Sequence, residues 1–428
     1  MRKIYFGILL LTLLTLSACG HTTPGPGSSF FAHARETGDA AEAALSGGAE
    51  ITGSAGQDAA PKEEILIISA VGDIMMHNTQ LQSGFQASTG AYDFSSFFTY
   101  VQPLLSAADL TIGNLETTFA GEKAGYSGYP RFNTPEVLAG NLQEAGFDIL
   151  TTANNHCLDK GVSGLIGTLD TLDAAGIRHT GTFRSTEEQE QILLIEKKGV
   201  KIAVLSYTYG TNGLKVPSDK PFLVNYLQAE RMLADVKKAR TEGAQIVIAC
   251  LHFGLEYQPQ PNEEQRQIVR ILFDEGVDII LGHHPHVLQP PYIYHYEDAV
   301  GFQDKPVIYS LGNFISDQNG LERTTAAILN IHIKVGAQNQ EACLEKVSYI
   351  PVKTRRFRQG GKLHFEVLPV EAALCSARRQ PSYFTSQEKR ELEAAAAHAA
   401  KQLYSTDPRL APEPLEIPLE SLNLITTW

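Results

Sequence analysis

From Ile65 onward the chain alternates short apolar runs with amphipathic stretches. Ile65–Val71, Ile149–Ala153, Ile202–Ser206, Ile246–Leu251, Val277–Leu281 and Val307–Ser310 are almost continuously apolar or β-branched. That character predicts strands in a sheet covered on both faces. Phe94–Ala108, Pro135–Ala145, Val162–Ala175, Ala229–Thr241 and Glu263–Glu275 carry the wider apolar spacing of helices. Several of these stretches stop at a glycine (Gly146, Gly176, Gly243, Gly276), the residue that most readily closes a helix in the left-handed conformation. Strands alternating with helices predict an α/β architecture. Past Thr325 the pattern changes: Ala327–Val335 and Leu344–Val352 read as antiparallel strands, Leu363–Val367 as a candidate third, and Ser386–Gln402 as a helix. There is no internal repeat. A main domain over 63–335 is expected, with 336–428 completing or flanking the same fold.

The first residues read differently. Arg2 and Lys3 precede an apolar run from Ile4 to Leu16. The run is shorter than the roughly 20 residues of a membrane span, and a basic start before a short apolar core reads as a secretory signal. It ends in Leu16-Ser17-Ala18-Cys19, which resembles a bacterial lipobox: residues 1–18 would be the signal peptide and Cys19 the lipidated residue. An ordinary signal peptide with an incidental cysteine is the plainer alternative. Acyl chains would then hold the protein on the extracytoplasmic face of the cell membrane, at roughly 0.8 kcal/mol per buried CH₂. Residues 19–62 are rich in Gly, Ala, Ser and Thr without apolar periodicity, and predict a flexible tether.

Composition narrows the partners. The chain has 428 residues, 43% hydrophobic, and a formal charge of −13. An acidic chain without a basic stripe argues against nucleic acid. It also disfavours simple electrostatic capture of a polyanion, unless a local patch or bound metal reverses the field. Beyond Cys19, the widely spaced Cys157, Cys250, Cys343 and Cys375 form neither a CxxC pair nor a dense framework, so buried thiols are expected. Cys157 follows a motif histidine, which leaves a ligand role as its alternative.

The candidate chemistry follows the strands. Val71 leads into Gly72-Asp73, with His77 close behind, and Ile112 into Gly113-Asn114-Leu115-Glu116. Ala153 leads into Asn154-Asn155-His156-Cys157-Leu158-Asp159, and Leu251 into His252-Phe253-Gly254-Leu255-Glu256-Tyr257. Leu281 leads into Gly282-His283-His284-Pro285-His286, and Leu311 into Gly312-Asn313-Phe314. Ligands of open parallel sheets bind at the carboxyl ends of strands. Of 13 histidines, His77, His156, His252, His283, His284 and His286 fall in these segments. Imidazoles and carboxylates are the usual ligands of Zn²⁺, Mn²⁺ and Fe. Taken singly, Gly72-Asp73 and Gly312-Asn313-Phe314 also suit turns, Asn154-Asn155 suits a helix cap, and His252 suits a hydrogen-bonded core. Three imidazoles within residues 283–286 are costly to bury unpaired and favour ligation.

In this order the segments resemble the bacterial CapA family, the poly-γ-glutamate capsule synthesis proteins, over about residues 65–320. The family is related to calcineurin-like metallophosphoesterases. The resemblance implies a metallophosphoesterase-like layered α/β/β/α sandwich with a short C-terminal extension. It implies Asp73, Glu116, Asn155, His252, His284 and His286 as metal ligands, with His77, Asn114 and His283 as additional candidates. His156 and Asp73 are the implied catalytic pair, His156 as general acid. One or two divalent ions (Mn, Zn or Fe) are the implied cofactor. The chain departs from the enzymes where Met75 stands in place of a histidine, His77 falls two residues later, and Asn114 stands in place of a bridging aspartate that Glu116 would replace. Two readings follow. One is a metal-dependent hydrolase acting on a phosphoester or cell-envelope polymer. The other is a non-catalytic factor in assembly or export of an anionic capsular polymer, beside a membrane synthase. A secreted solute-binding lipoprotein fits the histidines less well.

Overall fold

The computed structural model describes residues 64–297, 299–336, 342–415 and 419–422. The expected signal peptide, tether and lipidated Cys19 lie outside the described residues. The chain first lays down β1 (Glu64–Ile74), β2 (Leu110–Leu115), β3 (Ile149–Thr151) and β4 (Arg178–Thr180), which pair in parallel in that order. It then builds a second sheet from β5 (Leu193–Lys197), β6 (Val200–Thr208), β7 (Ile246–His252), β8 (Ile279–His283), β9 (Leu288–His295) and β10 (Asp304–Leu311). The spatial order there is β5-β6-β7-β8-β10-β9, parallel inside and antiparallel at both edges. The chain returns with β11 (Asn313–Ile315), β12 (Thr325–Val335), β13 (Ala342–Gln359) and β14 (Lys362–Pro369). β11 pairs in parallel with the end of β1, β12 lies antiparallel along β1, and β13 and β14 widen the first sheet.

Side-chain parity explains the layering. Alternate residues of a strand face opposite sides of its sheet. Leu66, Ile68 and Ala70 of β1 meet Ile202, Val204, Ile246, Ile248, Cys250, Ile279 and Leu281 in one core between the sheets. The intervening Val247, Ala249 and Leu251 face outward, beneath Met232, Val236, Val269 and Phe273 of helices Ala229–Thr241 and Glu263–Asp274. On the far side Phe97, Phe98, Leu138 and Leu142 cover Leu150, Ile328 and Val352. The result is the expected α/β/β/α sandwich.

Several elements differ from the sequence reading, which has no counterpart for β4, β5 or the helix Val370–Arg379. The helix expected over Phe94–Ala108 is a 3₁₀ turn, Ser95–Phe97, followed by a short helix, Gln102–Ser106. Pro103 lacks an N–H and begins a helix rather than continuing one. The strand β9 was not anticipated because it contains Pro290 and Pro291; it is an edge strand, where a missing donor is tolerated. Among the described residues no helix is long and apolar enough to cross a membrane.

Candidate metal centre

The strand ends of both sheets meet on one rim. Asp73 lies at the end of β1, Glu116 just past β2, and Asn155 and His156 past β3. His252 closes β7, His283 closes β8, and His284 and His286 follow it. All of these side chains are buried.

Glycines allow this convergence. Asp73 donates its backbone N–H to Gly312 O at 2.9 Å. A Cβ on Gly72 would stand 1.8 Å from that same carbonyl oxygen, and one on Gly282 would stand 2.0 Å from Tyr309 O. Both obstacles are backbone and cannot swing aside. Gly72→Ala is therefore expected to lower stability by about 1–3 kcal/mol or more and to displace Asp73. A denaturation midpoint equal to the wild-type value would show that β1 and Gly312 are not this close.

Glu116 is the centre of the arrangement. Its Oε1 lies 3.8 Å from His286 Nε2, 3.9 Å from His252 Nε2 and 4.0 Å from His156 Nε2. These separations are too long for hydrogen bonds, and neither carboxylate oxygen has a hydrogen-bond partner. Burial, reinforced by Asp73, pushes the Glu116 carboxyl well above its ordinary value. A buried carboxylate left in this state is costly. Ligand atoms bound at about 2.0–2.2 Å to one ion stand roughly 3–4 Å from each other. The orphaned oxygens and the imidazole nitrogens around them fit a divalent cation.

The neighbours orient the set. Asp73 Oδ1 accepts from Asn114 Nδ2 at 2.8 Å, and Oδ2 accepts from the His284 N–H at 3.3 Å. His286 Nδ1 lies 3.1 Å from Asp73 Oδ2 and 3.0 Å from Asn313 Oδ1, which leaves its Nε2 facing Glu116. Burial works to raise the Asp73 carboxyl; the His286 contact and the surrounding imidazoles outweigh it and hold the group below the usual carboxylate range. Burial lowers the His252 imidazole well below its ordinary value and takes His284 down to about 3. Both are neutral at pH 7 and carry a lone pair for a cation. His252 Nε2 lies 3.0 Å from Asn155 Oδ1.

Asp73, Glu116 and His252 offer ligand atoms within 4.8 Å of one another, and so do Glu256, His284 and His286. Asn155, His156 and Asn114 surround them. His283 stands apart: its Nε2 lies 3.2 Å from Val71 O, the contact of a core histidine. His77 is used elsewhere as well. It precedes the helix Asn78–Gly84, and its Nδ1 accepts the Asp317 N–H at 3.2 Å. Cys157 is buried beside Leu158 and Leu165, and burial pushes its thiol up to about 12, which suits packing rather than ligation. Cys250 and Cys375 are buried too, whereas Cys343 is exposed at the start of β13.

Sequence reasoning left three residues unselected. Asp159 Oδ2 lies 2.7 Å from His156 Nδ1, which turns His156 Nε2 toward the centre. Asn212 Nδ2 lies 3.5 Å from that Nε2. Glu256 stands beside His284 and His286. Asp159 and Glu256 sat in the quoted segments, three and four residues after a candidate histidine; no local pattern marks Asn212.

Comparisons with known proteins point to one family. The family described as "Bacterial capsule synthesis protein PGA_cap" matches residues 67–318. The chain is 31% identical to the PGA biosynthesis protein CapA of Bacillus subtilis (strain 168) over 278 residues, 64% of this chain and 69% of the relative. It is 28% identical to the capsule biosynthesis protein CapA of Bacillus anthracis, over 64% of this chain and 65% of the relative. The chain thus spans about two thirds of the length of these relatives. Among solved structures, the NAD nucleotidase of Haemophilus influenzae is 12% identical, with a TM-score of 0.43 over 86% of this chain and 60% of that one.

Proposed function

The chain belongs to the family of bacterial capsule synthesis proteins matched by PGA_cap, and from that premise we propose that it is a lipid-anchored, metal-dependent hydrolase of the cell envelope. The observation that carries the proposal is Glu116, buried without a hydrogen-bond partner and ringed by three imidazole nitrogens. Asp73, Glu116, Asn155, His252, His284 and His286 would hold one or two Mn, Zn or Fe ions. Such an ion supplies Lewis acidity, drawing charge from a phosphoryl or carbonyl oxygen as the transition state forms.

The remaining roles belong to this chain's own groups. His156 holds its Nε2 toward the centre because Asp159 engages Nδ1, and from there it delivers a proton to the leaving oxygen or nitrogen. Asn212, whose Nδ2 lies 3.5 Å from His156 Nε2, orients the substrate beside it. The low pKa of the Asp73 carboxyl keeps it charged to balance a cation. The substrate is a phosphoester or a bond in an anionic capsular polymer, the second in keeping with the names of the relatives. The lipobox-like segment ending at Cys19 supports attachment to the extracytoplasmic face, beside a membrane synthase.

The full-length chain, purified in detergent and loaded with Mn²⁺ or Zn²⁺, is expected to hydrolyse an aryl phosphate ester. His252→Ala is expected to abolish that turnover. A metal-loaded protein inert across a panel of phosphoesters, esters and amides would remove the hydrolase reading and leave the non-catalytic assembly role.

A further inference from the structure

We infer that Glu256 completes a second, open cation seat with His284 and His286, adjoining the inner group of Asp73, Glu116 and His252. The inference rests on the reading of the site as a metal centre and adds to it a ligand from the β7 loop and a second position that differs from the first.

The loop between His252 and Tyr257 is built to place Glu256 there. Gly254 has φ +96°, and a Cβ on it would stand 2.6 Å from the Gln265 amide carbon. Gln265 is itself fixed: its backbone N–H donates to Asn262 Oδ1 at 2.8 Å, and its Nε2 donates to Gln289 Oε1 at 3.0 Å. The loop is then pinned to the one after β8, because Tyr257 N–H donates to Pro285 O at 2.8 Å. That bond sets Glu256 against the two histidines that flank Pro285.

The backbone on both sides is strained in the way that ligand sites are. Tyr257 has φ +63°, His284 +95° and His286 +58°. Such conformations cost on the order of 1–3 kcal/mol each for non-glycine residues and persist where surrounding structure holds them for function. Only Lys198 and Asn212 share this conformation among the other described non-glycine residues, so the strain concentrates at this seat.

The two groups differ in kind. Asp73, Glu116 and His252 are all buried, whereas Glu256 is exposed and its partners His284 and His286 are buried. His284 Nδ1 is buried without a hydrogen-bond partner, a nitrogen that a cation would satisfy. The Tyr209 ring packs 4.5 Å from the His284 ring and fixes its plane. His286 Nδ1 is engaged by Asp73 and Asn313, so its Nε2, 3.8 Å from Glu116 Oε1, is the nitrogen left for the outer ion, and the two seats adjoin at Glu116. Two imidazoles and one carboxylate with a solvent-facing side suit a divalent transition ion that keeps open positions. The outer ion is therefore the weaker and the more exchangeable of the two.

The test is calorimetric titration of the chelator-stripped full-length protein with Mn²⁺ and with Zn²⁺, paired with metal analysis after dialysis. Wild type is expected to show two classes of site. Glu256→Gln, a change at an exposed position, is expected to weaken the looser class by more than about tenfold, a loss that outer-shell changes alone can reach, and to leave the tighter class in place. His252→Ala is expected to remove the tighter class. An isotherm for Glu256→Gln that overlays wild type overturns the inference, as does a single site in wild type. Failure of wild type to bind either ion would be a different result, one that removes the metal centre itself.

Discussion

Glu116→Gln is expected to abolish tight divalent-cation binding and, at the same time, to make the ion-free protein more stable. The two effects have one cause. Glu116 is fully buried, both oxygens lack hydrogen-bond partners, and its carboxyl is pushed well above its ordinary value by burial first and by Asp73 second. Above the carboxyl's ordinary pKa the ion-free fold must either bury that charge without a partner or take up a proton to remove it, a cost that the unfolded, solvated chain does not carry. Replacing the carboxyl with a neutral amide of the same shape is expected to raise stability by about 1–2 kcal/mol, the scale of an unsatisfied buried polar group. A carboxylate serving the fold would behave in the opposite way, and its loss would destabilise. Chemical denaturation in the presence of chelator reads the first effect and metal analysis reads the second. A destabilised variant that still retains its ion would contradict both halves of the expectation.

His156→Ala is expected to lower kcat by about 10²–10⁴-fold, the range of a positioned general acid, with metal content unchanged. His156 Nε2 lies 4.0 Å from Glu116 Oε1, and its Nδ1 is held by Asp159 rather than left for a second contact with the centre. Asp159→Asn is expected to fall between wild type and His156→Ala, because the imidazole stays in place but loses the partner that sets its tautomer. Its effect should show in kcat and in the pH–rate profile rather than in ion stoichiometry. Loss of the ion together with activity in His156→Ala would make His156 a ligand instead.

The layering was legible in the sequence because parity is local. Val247, Ala249 and Leu251 alternate with Ile246, Ile248 and Cys250, and each set found its own core. The helices Ala229–Thr241 and Ser386–Gln402 run over the ranges that their periodicity predicts. The edge strand β9 was hidden by Pro290 and Pro291, whose effect depends on whether a neighbour needs their missing N–H.

The site was legible in residue type more than in geometry. That His252, His284 and His286 face one centre follows from strand ends meeting on a rim. That His283 turns to Val71 O does not, because it depends on the left-handed backbone at His284 and His286, which aims the later rings away from the strand's alternation. His77 lies near Asp73 in sequence, yet the Asp317 N–H engages its ring. Glu256 reaches His284 only through the bond between Tyr257 and Pro285, a contact of two loops that no spacing within either reveals.

Anomalous diffraction from crystals of the chain grown with saturating Mn²⁺ is the most direct test of a cation at Glu116. The expected result is an anomalous peak in contact with the side chains of Glu116, His252 and Asp73. A refined water there, with no anomalous signal and the Glu116 carboxylate still unpartnered, would contradict it.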